Sequence, residues 1–458
     1  MKKYDAIIIG FGKGGKTLAG KLAGEGKKVA LVEKSDKMYG GTCINVGCIP
    51  SKSLVRSSRM TEEKGDISFE EKAGLYKAAI EEKRRVTSLL RQKNFDKLNN
   101  LEAVTIYNGT ASFLSNTQVK VAPADGSEEF VLEGEKIFIN TGSSPFVPPI
   151  EGIKDNPQVY LSESLMDLDK LPRKLVIIGG GYIGLEFSSM YSGFGSEVTV
   201  IQDGARFIPR EDEDIAAEIQ KVLEEKGVRF ITGASISGVR RDGDWSYVQY
   251  SLDGKQEELE ADAILVATGR RPNTKGLNLE AAGVELTARG GVKVDGSYRT
   301  TAPNIWAMGD VAGGLQFTYV SLDDFRIVWS SLHGGPYDAD AVKRSHIPYS
   351  VFIDPSFSRV GMNEQEAKKA GFDVKIAKLP AAAIPKAVVL NKTKGLLKAV
   401  IDAKTNKILG AMLFCEESYE MINIVKLAMD MDADYTVLRD QIYTHPTMSE
   451  ALNDLFAV

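Results

Sequence analysis

The chain is predicted to fold as an α/β protein: two Rossmann-like nucleotide-binding domains followed by a C-terminal α+β domain. Three observations predict it. A glycine-rich turn between a strand and a helix occurs twice, in "YDAIIIGFGKGGKTLAGKLAGEGKKVALVEK" and in "RKLVIIGGGYIGLEFSSMYSGFGSEVTVIQ". Further apolar strands end in glycine turns. From about Ser345 the texture changes to antiparallel strands and then helices, with no glycine motif. Length agrees, since 458 residues at about 150 per domain give roughly three domains.

In the first copy, Tyr4 to Ile9 reads as a buried parallel strand. Gly10, Gly12 and Gly15 make the turn, Lys16 to Gly24 a helix, and Lys28 to Glu33 the next strand. The second copy places Gly179, Gly181 and Gly184 after the strand Leu175 to Ile178. Such glycines let the backbone turn tightly and approach a pyrophosphate, and the helix start offers free N–H groups. One GxGxxG is weak evidence; the strand–turn–helix–strand context in both copies gives it weight. Gly15 to Glu33 and Gly184 to Gln202 both span 18 residues. An acid at that strand end accepts hydrogen bonds from a ribose diol and repels a 2′-phosphate. Glu33 therefore fits an unphosphorylated adenosine such as that of FAD. Gln202 is neutral and Arg206 is near, so NADPH is expected to be accepted, while the adjoining Asp203 leaves NADH admissible.

"EKIFINTGSSP" and "ADAILVATGRRP" read as further strand–turn segments, and "NIWAMGDVAGG" ends a strand at Gly309–Asp310. An aspartate at a strand's carboxyl end in an α/β fold points into the ligand crevice. "DISFEEKAGLYKAAIEEKRRVTSLLRQKNFDKLNN" has helical periodicity with dense mixed charge and reads as a long solvated helix. "HIPYSVFIDPSFSRVG", "KGLLKAVID" and "KILGAMLFC" read as antiparallel strands, with helices from Glu420 onward.

Hydrophobic residues at 43% and charged residues at 26% are those of a globular protein with a sizeable core. The net charge of −5 argues against nucleic-acid or anionic-membrane partners. No apolar run reaches the roughly 18 residues of a membrane span. The apolar stretch after the first lysines is short and reads as a strand, not a signal peptide. Three cysteines are too few for a secreted disulfide framework, so a cytoplasmic location is expected.

Two of those cysteines, Cys43 and Cys48, sit in "GGTCINVGCIPSK". Zinc would need more ligands than one further cysteine and three distant histidines supply, so no metal is expected. In a regular helix, residues five apart are separated by about 7.5 Å along the axis. A disulfide needs Cα atoms within about 7 Å, so the segment must bend, which Asn45 and Gly47 allow. Pro50 suits an early helical position. Thiols near a helix start ionise more readily, and Lys52 adds positive charge. Two nucleotide sites plus such a pair imply a relay from nicotinamide to flavin to disulfide to substrate.

Together with "ATG" at Ala267–Gly269, Gly309–Asp310 and "HPTMSE" at His445–Glu450, these motifs make the whole chain resemble the flavin-dependent pyridine nucleotide–disulfide oxidoreductases. "GFGKGGKTLA", "MYGGTCIN" and "YTHPTMSEALNDL" are closest to the bacterial branch that responds to reactive chlorine and reduces hypothiocyanous acid. The resemblance implies FAD, NADPH or NADH, and a homodimer with a shared active site. Residues 1–145 and 267–344 would bind FAD, 146–266 would bind NAD(P), and 345–458 would form the dimer interface. Cys43 would be the interchange thiol that meets substrate, and Cys48 would face the flavin and form the charge-transfer thiolate. Lys52 would lie near the flavin, paired with Glu186. Tyr182 would gate the nicotinamide side. His445, oriented by Glu450, would be the acid/base and reach the other subunit's cysteines. Asp310 would bind the ribityl chain and Ala111 approach the adenine. The flavin site would also take in Lys34, Gly41, Thr42, Thr141, Gly142 and Thr318, and the nicotinamide site Ile183 and Gly269. His333 and His346 carry no such context, and Cys415 reads as a small core residue.

The rival readings are dihydrolipoamide dehydrogenase, glutathione reductase, thioredoxin reductase, a mercuric or copper reductase, and a non-catalytic flavoprotein. Lipoamide enzymes usually carry His where Tyr443 stands and an acid where Gln202 stands; Tyr39, before the motif, adds to that contrast. The tail "LNDLFAV" lacks the cysteine pair of mercuric and large thioredoxin reductases. A non-catalytic protein would need neither the His445–Glu450 pair nor both cysteines.

Overall fold

The computed structural model describes residues 1–339 and 344–458. Backbone proximity groups the chain into two compact units: Met1–Ser53 with Ala79–Phe146 and Gly269–Val342, and Leu54–Ala78 with Val147–Thr268 and Lys343–Val458. The end of the expected 267–344 segment runs through 340–343, which lie outside the described residues.

The first unit is built on a parallel core. Strand β1 (Lys2–Ile9) is flanked by β2 (Val29–Glu33) and β5 (Phe130–Ile139), both parallel to it. Strand β2 is buried throughout, as a parallel strand covered on both faces must be. Strand β3 (Val104–Phe113) pairs with β2 over its first half, then antiparallel with β4 (Gln118–Pro123), which returns to β5. Ile305–Ala307 extends the sheet beyond β5. The chain leaves β1 into helix α1 (Lys13–Gly24), three residues earlier than the sequence suggests, because Gly14 and Gly15 join its first turn.

The second unit contains a parallel sheet in the order Arg229–Ile231, Glu197–Ile201, Lys174–Ile178, Ala263–Val266, Val159–Tyr160. A three-stranded antiparallel sheet, Ser235–Asp242, Trp245–Leu252 and Lys255–Ala261, was not foreseen; it buries Val248 and Tyr250. The C-terminal sheet is antiparallel as expected, and its strand Ile408–Phe414 is buried at every position.

Helix α2 (Thr42–Asn45), helix α3 (Cys48–Glu62) and helix α4 (Phe69–Asn99) complete what the site needs. Helix α4 corrects the sequence reading. It is not solvated all round: Tyr76, Ala79, Ile80, Lys83 and Thr87 form a buried stripe at helical spacing. Among the described residues no helix is long and apolar enough to cross a membrane.

Candidate active site

The two glycine turns are built alike. Gly10 and Gly179 both have positive φ, and a Cβ on either would lie 2.4 and 2.6 Å from the carbonyl oxygens of Asn140 and Ala267. Each turn delivers an extended glycine, Gly12 or Gly181, before a helix that no side chain caps. At the first, Gly15 N–H donates to Asn140 Oδ1 at 2.9 Å and Gly14 N–H to Ser321 Oγ at 3.2 Å. Glu33 ends β2 in a buried position. Its Oε2 accepts Phe11 N–H at 2.9 Å and its Oε1 accepts Ser35 N–H at 3.3 Å. Burial raises its pKa and these N–H groups oppose the rise. An uncapped helix start beside a buried strand-end carboxylate is the donor set that a dinucleotide's pyrophosphate and ribose diol require. The residues therefore fit FAD. Lys34 is exposed beside Glu33, whereas Ala111 lies within the apolar core of the first unit.

At the second turn the helix Tyr182–Phe194 carries Ile183 and Gly184. Gln202 follows the strand Glu197–Ile201, and its amide donates to Gly204 O at 2.8 Å and Arg206 O at 2.9 Å. Asp203 Oδ1 accepts Gly204 N–H at 2.8 Å. Arg206 is exposed, and Gly269 sits in open space with φ +110. No carboxylate occupies the position equivalent to Glu33.

The cysteine segment breaks between α2 and α3, where Val46 and Gly47 leave helical form. Cys43 lies on α2 and Cys48 opens α3. A Cβ at Gly47 would lie 3.0 Å from Thr42 O, tighter than an ordinary contact, so glycine eases the close approach of the two turns. Gly41 rests directly on the first nucleotide turn: its Cβ would meet Gly12 Cα at 2.9 Å. Gly142 faces Thr42 Oγ1, and Thr141 Oγ1 donates to Asn273 O at 2.7 Å. Thr318, opening the helix Thr318–Leu332, places Oγ1 3.8 Å from Cys48 Sγ.

The thiol of Cys48 donates to Cys43 and lowers the Cys43 pKa to about 6; burial opposes this, and Thr318, Lys16 and Lys52 assist. Cys48 is pushed up, first by that same hydrogen bond and then by burial. The hydrogen bond between the two thiols by itself favours the proton on Cys48 and makes Cys43 the more acidic and more nucleophilic thiol, whereas the sequence reading expects the thiolate on Cys48, where it faces the flavin. Lys52 Nζ donates to Ser51 Oγ at 3.2 Å. Asp310 Oδ2 accepts Ser143 Oγ–H at 2.6 Å, and Arg270 Nε donates to the same hydroxyl oxygen at 2.9 Å. Burial raises the Asp310 pKa, opposed by the Ser143 hydrogen bond and Arg270. Ser143 and Arg270 carried no sequence signal that singled them out.

In the second unit, Tyr182 donates its phenol to Glu211 Oε1 at 2.5 Å and lies 3.1 Å from the Tyr349 hydroxyl. Tyr349 bonds the same carboxylate oxygen, and Arg359 Nη1 donates to Glu211 Oε2 at 3.3 Å. Glu186 Oε1 accepts Phe352 N–H at 2.9 Å. His445 Nδ1 is 2.7 Å from Glu450 Oε2, which fixes the ring and makes Nε2 the nitrogen placed to exchange protons. Cys415 is buried, as expected, 3.8 Å from Met421 Sδ. Tyr39 packs between Phe11 and Phe95 and donates to Asn108 Oδ1 at 2.7 Å, so it supports the loop. Among the described residues no group of three or more His, Cys, Asp or Glu is arranged to hold a metal ion.

Comparison with known proteins matches this arrangement over the chain's length. The model of the family "Pyridine nucleotide-disulphide oxidoreductase" covers residues 4–324, and that of its dimerisation domain covers 347–456. A protein of Escherichia coli described as "Probable pyridine nucleotide-disulfide oxidoreductase RclA" is 48% identical over 459 residues, covering 100% of both chains. A mercuric reductase of Bacillus cereus is 35% identical, across 98% of this chain and 70% of its own. The Cu(II) complex of the C43S mutant of the HOCl-induced flavoprotein disulfide reductase RclA from E. coli superposes with a TM-score of 0.94, at 48% identity and 100% coverage of both chains. The family's members use FAD and NAD(P)H. With both family models matched and one relative aligned end to end, the chain belongs to the pyridine nucleotide-disulphide oxidoreductases and carries their dimerisation domain.

Proposed function

We propose that this flavoprotein disulfide reductase uses NAD(P)H to reduce hypothiocyanous acid to thiocyanate through the Cys43–Cys48 pair. The observation that carries the reading is the seating of Cys43 and Cys48 on either side of the break between α2 and α3, with Thr318 Oγ1 3.8 Å from Cys48 Sγ and Cys43 the more acidic thiol. FAD, which Gly10, Gly12, Gly15, Glu33 and Asp310 would hold, would supply the disulfide with the two electrons that NAD(P)H provides. The Cys43 thiolate then attacks the electrophilic sulfur of the oxidant. His445 of the partner subunit, held by its own Glu450, gives a proton to the departing hydroxide, which leaves as water. Cys48 attacks the Cys43 sulfur, releases thiocyanate, restores the disulfide and returns its proton to the histidine. Lys52 flanks the flavin position, Tyr182 gates the nicotinamide, and Thr318 supports the thiols. Gly10, Gly12, Gly15, Glu33 and Asp310 hold FAD within residues 1–145 and 267–344, while 146–266 hold NAD(P) and 345–458 form the interface of a cytoplasmic homodimer.

The test is a turnover panel of hypothiocyanous acid, oxidised lipoamide, oxidised glutathione, mercuric ion and cupric ion, each with NADPH and NADH. Hypothiocyanous acid should give the highest kcat/KM; a higher value for lipoamide or glutathione sinks the reading. Cupric ion is the second reading, favoured by the relative crystallised as a Cu(II) complex.

The loop geometry also makes a prediction about the nicotinamide. With Gln202 turned into its own loop, Arg206 is the cation placed for a 2′-phosphate. Arg206→Ala should raise KM for NADPH about tenfold, the weight of one charge-assisted hydrogen bond, and leave KM for NADH nearly unchanged. Equal effects on both nicotinamides, measured by steady-state kinetics, would remove Arg206 from this role.

A further inference from the structure

The second unit holds a fully buried carboxylate, Glu211, that no role above absorbs. Its Oε1 accepts the Tyr182 phenol at 2.5 Å and the Tyr349 phenol as well. Its Oε2 accepts Arg359 Nη1–H at 3.3 Å. Tyr349 and Arg359 are register partners on the antiparallel strands Tyr349–Val351 and Phe357–Gly361, so their side chains stand together on one face. Arg359 is fixed in turn: it pairs with Glu366, and Nη1 also donates to Arg210 O at 2.8 Å. Asn363 Nδ2 donates to the same carbonyl at 3.0 Å. The loop that delivers Glu211 is held as closely. Ile208 is buried at φ +33, a conformation that β-branched residues rarely adopt, and its carbonyl accepts Glu211 N–H at 3.0 Å. Phe207 beside it packs on Phe230 with ring centres 4.8 Å apart. The carboxylate is therefore a fixed point. Tyr182, by contrast, is half-buried and opens the helix that follows the second glycine turn, where the nucleotide would lie.

We propose that Glu211 is a positioning residue that latches Tyr182 in the resting enzyme, and that Tyr349 is the spare donor that lets the latch open when the nicotinamide enters. The proposal rests on Tyr182 gating the nicotinamide. Each phenol carries one proton. With both protons given to Oε1, none is left for the 3.1 Å contact between the two hydroxyl oxygens, and lone pairs face each other there. Burial, and after it the charge of Glu211, raises the pKa of both phenols, so both remain donors at neutral pH. When Tyr182 swings away, Oε1 keeps Tyr349 and Oε2 keeps Arg359. The crowded oxygen contact is relieved, and the buried carboxylate is not left unpaired. A latch with Tyr182 as the one phenol on Oε1 would hold harder, because its release would orphan a buried oxygen. The apparent affinity for the nicotinamide scales with the fraction of enzyme whose gate is open. The two phenols therefore act on it in opposite directions.

The experiment removes one hydroxyl at a time and titrates the oxidised holoenzyme with NADP+ by isothermal calorimetry. ADP-ribose 2′-phosphate, which has all of NADP+ except the nicotinamide, is the reference ligand. Tyr182→Phe and Tyr349→Phe make the same chemical change, and each leaves Oε1 with one phenol, so both should fold. Tyr182→Phe frees the ring from Glu211 and should bind NADP+ about tenfold more tightly, the weight of one charge-assisted hydrogen bond. Tyr349→Phe should bind it severalfold more weakly. Neither should shift the reference ligand. NADP+ shifts in the same direction, no shifts, or equal shifts in the reference ligand overturn the proposal. Tyr182→Ala keeps the two possible failures apart. If it leaves NADP+ affinity unchanged, Tyr182 is no gate, and the reading beneath the proposal falls together with it. If it tightens NADP+ binding while the two Phe variants show no opposed shifts, the gate stands and the latch alone is overturned.

Discussion

Replacing Cys43 by serine should lower NAD(P)H-dependent turnover of the oxidant by roughly 10³-fold or more, while the flavin stays bound and is still reduced. The loss is large because a serine hydroxyl is not ionised near neutral pH, whereas a thiol titrating at about 6 is mostly thiolate at pH 7. The retention follows from what seats the loop. Gly41 against Gly12, and Asn45 with its three partners, are untouched by the change. The same substitution in the E. coli relative leaves a chain that superposes at a TM-score of 0.94. Stopped-flow measurement of flavin reduction beside steady-state turnover separates the two half-reactions; full turnover in the variant would remove Cys43 from the mechanism. The wild-type pH profile carries the same signature. A thiolate lowered to about 6 is lost by protonation, so attack on the oxidant should fall on the acid side of that value and level off above it.

The second large effect lies away from the cysteines. Lys398→Met should cost about 3–5 kcal/mol of stability in the second unit. The Lys398 side chain is only 2% exposed and bonds Asp212 at 2.9 Å, Asp214 at 3.0 Å and Glu364 at 2.8 Å. Burial works against its charge, and the three carboxylates outweigh it. Without the ammonium, Asp214 keeps Lys378 and Glu364 keeps Lys368, but the buried Asp212 keeps only backbone N–H partners. Adding Asp212→Asn should therefore recover much of the loss, and a double-mutant cycle by urea denaturation measures it. Asp214 is held below the ordinary carboxylate range by Lys378 and Lys398 against burial, and Glu364 by Lys368 and Lys398. Folded-state values below the unfolded ones stabilise at pH above about 4 and lose that contribution as pH falls through them. The gap between wild type and Lys398→Met should accordingly narrow in acid. A gap that stays constant there would show that Lys398 acts through packing alone.

What could be read before folding was what is written locally. Each glycine turn and its two strands fit within about 30 residues, so the spacing of Gly10, Gly12, Gly15 and Glu33 was enough. The bend between Cys43 and Cys48 followed from the geometry of a helix and a disulfide alone. The buried stripe of α4 was hidden because Lys83 and Thr87 belong to it, and polar residues on a core face defeat a hydrophobic period. The sheet Ser235–Ala261 was hidden because its last strand, "KQEELEA", is almost wholly polar and exposed. Ser143 lies 167 residues from Asp310 and Asp214 lies 184 residues from Lys398, and no local pattern encodes a pairing at that distance.

The contact of Gly41 with Gly12 has a dynamic consequence. Where two elements meet through side chains, their spacing fluctuates with rotamer changes on the picosecond-to-nanosecond scale. Here the elements meet main chain to main chain, with a glycine on each side and no rotamer between them. The distance from the nucleotide turn to the cysteine loop is set by van der Waals radii. Thermal repacking of neighbouring side chains does not reach it, and no single substitution at either glycine adjusts it in small steps. That distance behaves as a rigid constant of the molecule, and tuning is left to the charges around it.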